Sequence, residues 1–112
     1  MAGAEVLERL FEVIEARRRE RPPGSYVVEL LAGGLPAIAA KLREESEALI
    51  DAAVRGDAAH TAHEAADLLF HTLVLLACAE VAPARAYAVL EQRFGIGGLV
   101  EKSSRGGRSD AG

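Results

Sequence analysis

Aromatic side chains are scarce in this sequence: they make up 4% of its 112 residues, and tryptophan is absent. Half of the residues are nevertheless hydrophobic, and most of these are Ala, Leu and Val. Because Ala and Leu are strong helix formers, this composition predicts packed helices rather than a sheet. A chain of this length has room for one hydrophobic core, so we expect a single all-α domain.

Other absences narrow the class of protein. A single cysteine, Cys78, excludes an intramolecular disulfide and suits a reducing cytoplasm. The N-terminal stretch carries acids among its apolar residues, unlike a signal peptide, and the longest apolar run is expected to be too short and interrupted to span a bilayer. Excess basic charge is also lacking, since the formal net charge is −4, which argues against nucleic-acid binding. We therefore expect a cytoplasmic protein with neither a membrane nor a nucleic-acid partner.

Apolar periodicity, capping residues and Gly or Pro breaks predict five helices. They cover residues 3–20, 25–31, 36–55, 57–80 and 83–94. Ser25 and Asp57 are suited to N-cap two of them, while Gly33-Gly34 and Gly56 are suited to end two. Residues 1–95 thus form the helical domain, and residues 96–112, poor in apolar side chains, are expected to be a flexible tail.

The helix predicted over 57–80 indicates self-association. From Leu68 to Ala79 its apolar residues cover nearly the whole circumference, and such a helix must be covered on all sides. The remaining helices of one short chain can wrap only part of it. We therefore expect at least a homodimer, in which a second copy covers the remaining face.

Acids and histidines precede this apolar run on the same side of the helix. A rotation of about 100° per residue aligns them in one stripe, which consists of His60, His63, Glu64, Asp67 and His71. On the preceding helix, Glu45 falls at the edge of the apolar face and Glu44 lies next to it, turned toward solvent. If the two helices pack antiparallel, Glu44 and Glu45 can face Glu64 and Asp67.

Four converging carboxylates would repel one another unless cations neutralise them. Oxygen-only donors select hard divalent ions, so the pattern is typical of a Mg²⁺ site. The alternative is that all four are ordinary surface acids, since Glu pairs are common on exposed helices. A zinc site is disfavoured, because His60 and His71 lie about 16 Å apart along a helix and cannot share one ion.

These residues carry a resemblance to the all-α, MazG-like nucleotide pyrophosphatases, and within them to the phosphoribosyl-ATP pyrophosphatase family of histidine biosynthesis. EE on one helix followed by ExxD on the next resembles the metal motif of the superfamily. The segments SYVVELLAGG, KLREE, HEAADLLFHTLVLL and RFGIGGLVEKSSR follow the order and spacing of the family. EAADLL and the GL–EK–SR tail are the specific parts, whereas EE alone is weak.

The resemblance implies a four-to-five-helix bundle completed by dimerisation, and Mg²⁺-dependent hydrolysis of phosphoribosyl-ATP to phosphoribosyl-AMP and pyrophosphate. It implies metal ligation by Glu44, Glu45, Glu64 and Asp67, with Glu44 or Glu45 also acting on the attacking water. Lys41, Lys102 and Arg105 would neutralise phosphate charge. Further substrate contacts would come from Ser25, Tyr26 and His71, the last of which could equally be a satisfied core histidine. The tail would then be a lid that orders over the substrate.

One position departs from the family pattern. The superfamily usually has EExxE, but Ala48 occupies the place of the third Glu, and Glu47 one residue earlier points about 100° away. Two alternatives therefore stay open beside the histidine-pathway enzyme. One is a house-cleaning nucleoside triphosphate pyrophosphatase that shares the acids, and the other is a non-catalytic helical dimer that has lost its metal.

Overall fold

The computed structural model describes residues 3–94, and in that range it contains four helices and no strand. The helices are α1 (Glu5–Glu20), α2 (Tyr26–Arg55), α3 (Ala58–Ala79) and α4 (Pro83–Phe94). The prediction of an all-α chain is confirmed. The described residues fall into two units, one ending at Glu80 and one starting at Val81, and α4 is the helix of the second.

The break predicted at Gly33-Gly34 lies inside α2. Gly34 has φ 76° and ψ −173°, a backbone conformation that residues other than glycine rarely adopt. Pro36 lies two residues further on. The helix kinks at this residue but resumes at once, so that the two helices predicted over 25–31 and 36–55 form one kinked element. Gly33 is constrained as well, because a Cβ atom there would lie 2.7 Å from Cβ of Ala37.

The predicted caps of α2 and α3 are confirmed. The backbone N–H of Val28 donates to Oγ of Ser25 at 3.3 Å, and the N–H of His60 donates to Oδ1 of Asp57 at 3.0 Å. These bonds satisfy amide groups that the first turn of a helix leaves without partners. Gly56 ends α2 in the left-handed conformation, and the connection to α3 is therefore only two residues long.

Helices α2 and α3 pack together as an antiparallel hairpin, and α1 packs against both. The buried core combines Ile14 of α1 with residues of the other two helices. Its other members are Val27, Leu30, Ile38, Leu73, Val74 and Ala77. At the C-terminal end of α1, Arg18 binds Glu15 at 3.1 Å and approaches Glu80 at 3.6 Å, which ties α1 to the end of α3.

Helix α3 is the one helix of residues 3–94 that is long and apolar enough to be considered as a membrane span. An 18-residue window within its 22 residues has a mean hydropathy of 1.3, and by length and composition alone this helix could cross a membrane. The core helix of a soluble bundle meets the same criterion. The absence of a membrane partner therefore stays a prediction.

Candidate metal and catalytic site

Three carboxylates meet where α2 faces the N-terminal half of α3. Glu45, Glu64 and Asp67 each offer one oxygen atom, and these atoms all lie within 4.8 Å of one another. Glu64 and Asp67 share a face of α3 because they are three residues apart, and the short connection at Gly56 brings Glu45 back alongside them. The cluster is partly buried, since all three residues are of intermediate exposure.

The electrostatics of the cluster are those of crowded acids. Burial raises the pKa of Glu45 above its usual value, and the neighbouring carboxyl groups of Glu64 and Asp67 raise it further. The pKa of Glu64 is lowered instead, chiefly by its hydrogen bond with His60, whose Nε2 lies 2.8 Å from Oε2 of Glu64. Protein groups therefore favour the charged form of Glu64, whereas their net effect, together with burial, disfavours the charged form of Glu45.

This donor set fits a hard divalent cation. All three groups are carboxylate oxygens, and a bound cation would favour the charged form of Glu45 that burial opposes. Two histidines border the set without joining it: His60 contacts Glu64, and Nε2 of His63 lies 3.5 Å from Oδ2 of Asp67. Such neighbours orient carboxylate ligands. His60 and His71 have separate partners, which agrees with the argument against a shared zinc ion.

Glu44, the fourth predicted ligand, lies outside this cluster. Its side chain is 67% exposed and its Oε1 atom is 3.4 Å from Nζ of Lys41, whose side chain is 37% exposed. Glu44 and Glu45 are consecutive residues, and the rotation of about 100° between them along the helix turns the two carboxyl groups apart. The pKa of Lys41 is raised, first by the Tyr26 phenol and then by Glu44. Lys41 and Glu44 thus form an ion pair at the rim.

No described acid replaces the third Glu of the family pattern. Ala48 is half-buried on α2, one turn beyond Glu44, whereas Glu47 and Asp51 are exposed. Within residues 3–94 the carboxylate cluster therefore has three members, two of them from α3.

The structure links two of the predicted substrate contacts to each other. The hydroxyl of Tyr26 lies 2.9 Å from Nε2 of His71, and Nδ1 of His71 lies 2.8 Å from the backbone oxygen of Asp67. The ring of Tyr26 also stacks on Phe70, with ring centroids 6.1 Å apart. Sequence reasoning missed this pair, because 45 residues separate its members and no local pattern marks the contact.

The remaining predicted contacts divide into two groups. Ser25 lies next to Tyr26 and caps α2, where its Oγ atom accepts from the N–H of Val28. Lys102 and Arg105, together with the tail predicted over 96–112, lie outside the described residues. Their roles stay predictions.

The fold and the cluster define an all-α protein whose antiparallel helices present carboxylates suited to a divalent cation. Comparison with known proteins assigns the family: the sequence model described as phosphoribosyl-ATP pyrophosphohydrolase matches residues 7–94. The chain belongs to this family.

Curated relatives named phosphoribosyl-ATP pyrophosphatase match over nearly their whole length. The protein of Parvibaculum lavamentivorans is 50% identical over 107 residues, which cover 96% of this chain and 98% of that protein. The protein of Rhodopirellula baltica is 44% identical over 109 residues, covering 95% of this chain and 91% of that protein. The protein of Cereibacter sphaeroides is 48% identical over 101 residues, covering 90% of this chain and 98% of that protein.

Proposed function

We propose that this protein is a phosphoribosyl-ATP pyrophosphatase that acts in the second step of histidine biosynthesis. It hydrolyses the α–β phosphoanhydride of phosphoribosyl-ATP and releases phosphoribosyl-AMP and pyrophosphate. The convergence of Glu45, Glu64 and Asp67 within 4.8 Å is the observation that supports this activity most strongly, together with membership of the family. Glu64 and Asp67 are the acids of the ExxD pattern.

Mg²⁺ is the proposed cofactor, with Glu45, Glu64 and Asp67 as its protein ligands. A bound Mg²⁺ ion neutralises phosphate charge, tolerates water in the rest of its coordination shell and prefers a few carboxylates plus substrate phosphates. Three protein carboxylates are compatible with that preference, so the alanine at position 48 does not exclude a working site. On the solvent-exposed side, His60 contacts Glu64 and His63 lies close to Asp67.

The remaining groups of the rim act on the water and the phosphates. Water attacks the α-phosphorus, the bond to the α–β bridging oxygen breaks, and pyrophosphate leaves. Glu44 lies outside the cluster and can hold this water and accept its proton. If Glu44 instead binds the metal, Glu45 takes that role. Lys41, now paired with Glu44 at 3.4 Å, can move to a phosphate oxygen. Lys102 and Arg105 are the further cations proposed to neutralise phosphate charge.

A homodimer is the proposed assembly. Ile50 and Val54 lie one turn apart on α2 and are 57% and 80% exposed, and Leu69 of α3 is 50% exposed. Exposed apolar side chains one turn apart are what a second copy would cover. Sedimentation equilibrium should give twice the mass of one chain, and Val54→Glu should shift the protein toward the monomer. A wild-type protein that sediments as a monomer at all concentrations would contradict this assembly.

The compartment follows from the chemistry of the proposed reaction. A nucleotide substrate is a cytoplasmic metabolite, and Cys78 is a free thiol. We therefore place the reaction in the cytoplasm, with neither nucleic acid nor membrane as a partner.

The activity is tested by pyrophosphate release from phosphoribosyl-ATP, with and without Mg²⁺, beside ATP and a panel of deoxynucleoside triphosphates. Fast, Mg²⁺-dependent release from phosphoribosyl-ATP alone is expected. Release from the other nucleotides instead would identify a house-cleaning pyrophosphatase. No release from any substrate would favour a non-catalytic helical dimer and would overturn the proposed function.

A further inference from the structure

The two histidines beside the carboxylate cluster are not equivalent. Each precedes a proposed metal ligand by one helical turn, and their rings meet edge to face with centroids 6.5 Å apart. Nε2 of His60 lies 2.8 Å from Oε2 of Glu64 and forms a hydrogen bond with it. Nε2 of His63 lies 3.5 Å from Oδ2 of Asp67, beyond the usual hydrogen-bond range of about 2.7–3.2 Å. The contact of His60 is therefore the specific one.

Glu64 is also the more enclosed of the two acids. Its side chain is 13% exposed, compared with 39% for that of Asp67. Water can reach the Asp67 carboxylate more freely, whereas an enclosed carboxylate depends more on hydrogen bonds from the protein. A donor from the protein therefore matters more to Glu64 than to Asp67.

The direction of the bond between His60 and Glu64 follows from the acceptor. A charged carboxylate oxygen can only accept, so Nε2 of His60 donates. It can do so in a neutral ring that carries hydrogen on Nε2 and equally in a charged ring, so the bond does not depend on the charge of His60. Glu45, whose oxygen lies within 4.8 Å on the facing helix, has no hydrogen to donate when it is charged as a metal ligand.

His60 is itself anchored by the first turn of α3. Its backbone N–H donates to Oδ1 of Asp57 at 3.0 Å, and the hydroxyl of Thr61 donates to the backbone oxygen of Asp57 at 2.7 Å. The imidazole projects from this capped turn and is 46% exposed. A substitution of the His60 side chain therefore leaves both capping bonds in place and removes only the contact with Glu64.

A carboxylate that is held in this way can still bind a cation. Its two oxygens offer about four lone-pair positions, and the bond from His60 occupies one of them. A long Glu side chain loses rotamer freedom when it binds a metal ion, and a hydrogen bond that orders the carboxylate beforehand reduces that loss.

We propose that His60 is a positioning residue, which holds the Glu64 carboxylate for the divalent cation through the hydrogen bond from Nε2. His60 acts through Glu64 and is not itself a ligand, and His63 does not share this role. This inference rests on the proposed function, in which Glu64 is a metal ligand, and adds to it a group outside the carboxylate cluster that sets the affinity for the metal.

The test measures the Kd for Mn²⁺ by titration of the full chain, with the free ion followed by electron paramagnetic resonance. His60→Ala should raise this Kd by about 10-fold or more, as is typical when the hydrogen-bond partner of a ligand is removed. His60→Gln keeps an N–H donor at a similar reach and should stay within about 3-fold of the wild type. Wild-type affinity in His60→Ala, or equal losses in the two variants, would overturn the proposal.

His63→Ala separates the hydrogen bond from a general effect of a histidine near the acids. It removes the same ring one turn from a ligand, but its contact is exposed and longer, so its Kd should change by about 3-fold or less. A loss as large as that of His60→Ala would overturn the proposal. Circular dichroism melting without metal checks that the three variants fold as the wild type does.

The dependence of turnover on Mg²⁺ provides a second measurement. In His60→Ala the Mg²⁺ concentration for half-maximal pyrophosphate release should rise by about the same factor as the Kd for Mn²⁺, and kcat at saturating Mg²⁺ should stay within about 3-fold of the wild type. A lower kcat with an unchanged Mg²⁺ requirement would contradict positioning.

The failure of this inference differs from that of the proposed function. A wild type that cleaves phosphoribosyl-ATP while His60→Ala binds Mn²⁺ with wild-type affinity loses only the role of His60. A wild type that binds Mn²⁺ but does not cleave phosphoribosyl-ATP loses the proposed function, and the Mn²⁺ titrations still decide the role of His60. A wild type that binds no Mn²⁺ overturns both.

Discussion

The two halves of α3 are built on one helix but have opposite environments. In the N-terminal half, Glu64 and Asp67 are partly exposed and surrounded by other titratable groups. In the C-terminal half, Leu73, Val74 and Ala77 are at most 5% exposed and belong to the core. The rigid, buried half holds the carboxylates of the other half in place, and His71 with its bond to the Asp67 backbone lies at the boundary.

This division predicts that the two halves respond differently to substitution. Changes among the acids should remove activity while the fold remains, and changes in the buried half should reduce stability while each folded molecule remains active. Glu45 differs from the acids of α3. Its carboxyl group is a proposed metal ligand, but without the metal the fold disfavours its charged form, so its substitution affects stability as well as activity.

The largest effect is expected at the acids of α3. Glu64→Gln or Asp67→Asn should lower kcat/KM for phosphoribosyl-ATP by about 100- to 1000-fold, because each removes a negatively charged metal ligand. Helical circular dichroism should be unchanged. Glu47→Gln on the exposed face of α2 is the matched control and should keep wild-type activity. Unchanged turnover in both α3 variants would contradict the assignment of the site.

The next effect is expected in the buried half. Val74 is fully buried, so Val74→Ala should destabilise the protein by about 2 kcal/mol through lost apolar contact and a residual cavity. Chemical denaturation measures this change. Activity per folded molecule should be close to that of the wild type, and a 100-fold loss of kcat in the folded fraction would contradict the separation of the two halves.

The same substitution at an exposed valine provides the control. Val54 is 80% exposed, and Val54→Ala should change stability by less than about 0.5 kcal/mol when the protein is dilute. If α2 contributes to the proposed dimer, the loss should instead grow as the protein concentration rises.

The smallest effect is a dependence of stability on pH at Glu45. Its folded-state pKa is raised, so its contribution to stability is present below the unfolded pKa of about 4.3 and is lost as pH rises through the folded value. A glutamine side chain at this position carries no charge and escapes that loss. In the presence of a chelator, Glu45→Gln should therefore melt at a higher temperature than the wild type at pH 7.5 and at a similar temperature near pH 4. A variant that is less stable than the wild type at pH 7.5 would contradict the assigned shift.

Glu64 should show the opposite trend. Its folded-state pKa is lowered, so its contribution is present above the unfolded pKa and is lost as pH falls through the folded value. In the same melting experiments, Glu64→Gln should lose stability relative to the wild type at pH 7.5.

Sequence reasoning captured the local features of the fold well. Ser25 and Asp57 could be recognised as N-caps because capping depends on side chains within three residues of the amide that they satisfy. The break at Gly34 and a helix on each side of it were expected, but the continuation of the two helices as one kinked element was not. Continuation depends on packing of both halves of α2 against the same core, which no short segment encodes.

The site was predicted less completely, for a geometric reason. Helical spacing was enough to align Glu64 with Asp67 and to place Glu45 at the edge of the facing helix. The exclusion of Glu44 from the cluster and the bond between Tyr26 and His71 depend on how two helices meet. Spacing along one helix carries no information on either, so these features required the structure.

Metal binding by the three carboxylates is the central claim, and electron paramagnetic resonance of Mn²⁺ tests it most directly. Mn²⁺ prefers oxygen ligands as Mg²⁺ does, and its free-ion signal decreases when it binds. The wild type should reduce this signal and Mg²⁺ should compete, while Glu64→Gln and Glu45→Gln should bind far less and Glu47→Gln as much as the wild type. An equal free-ion signal with the wild type and with Glu64→Gln would contradict the assignment of Glu45, Glu64 and Asp67 as a metal site.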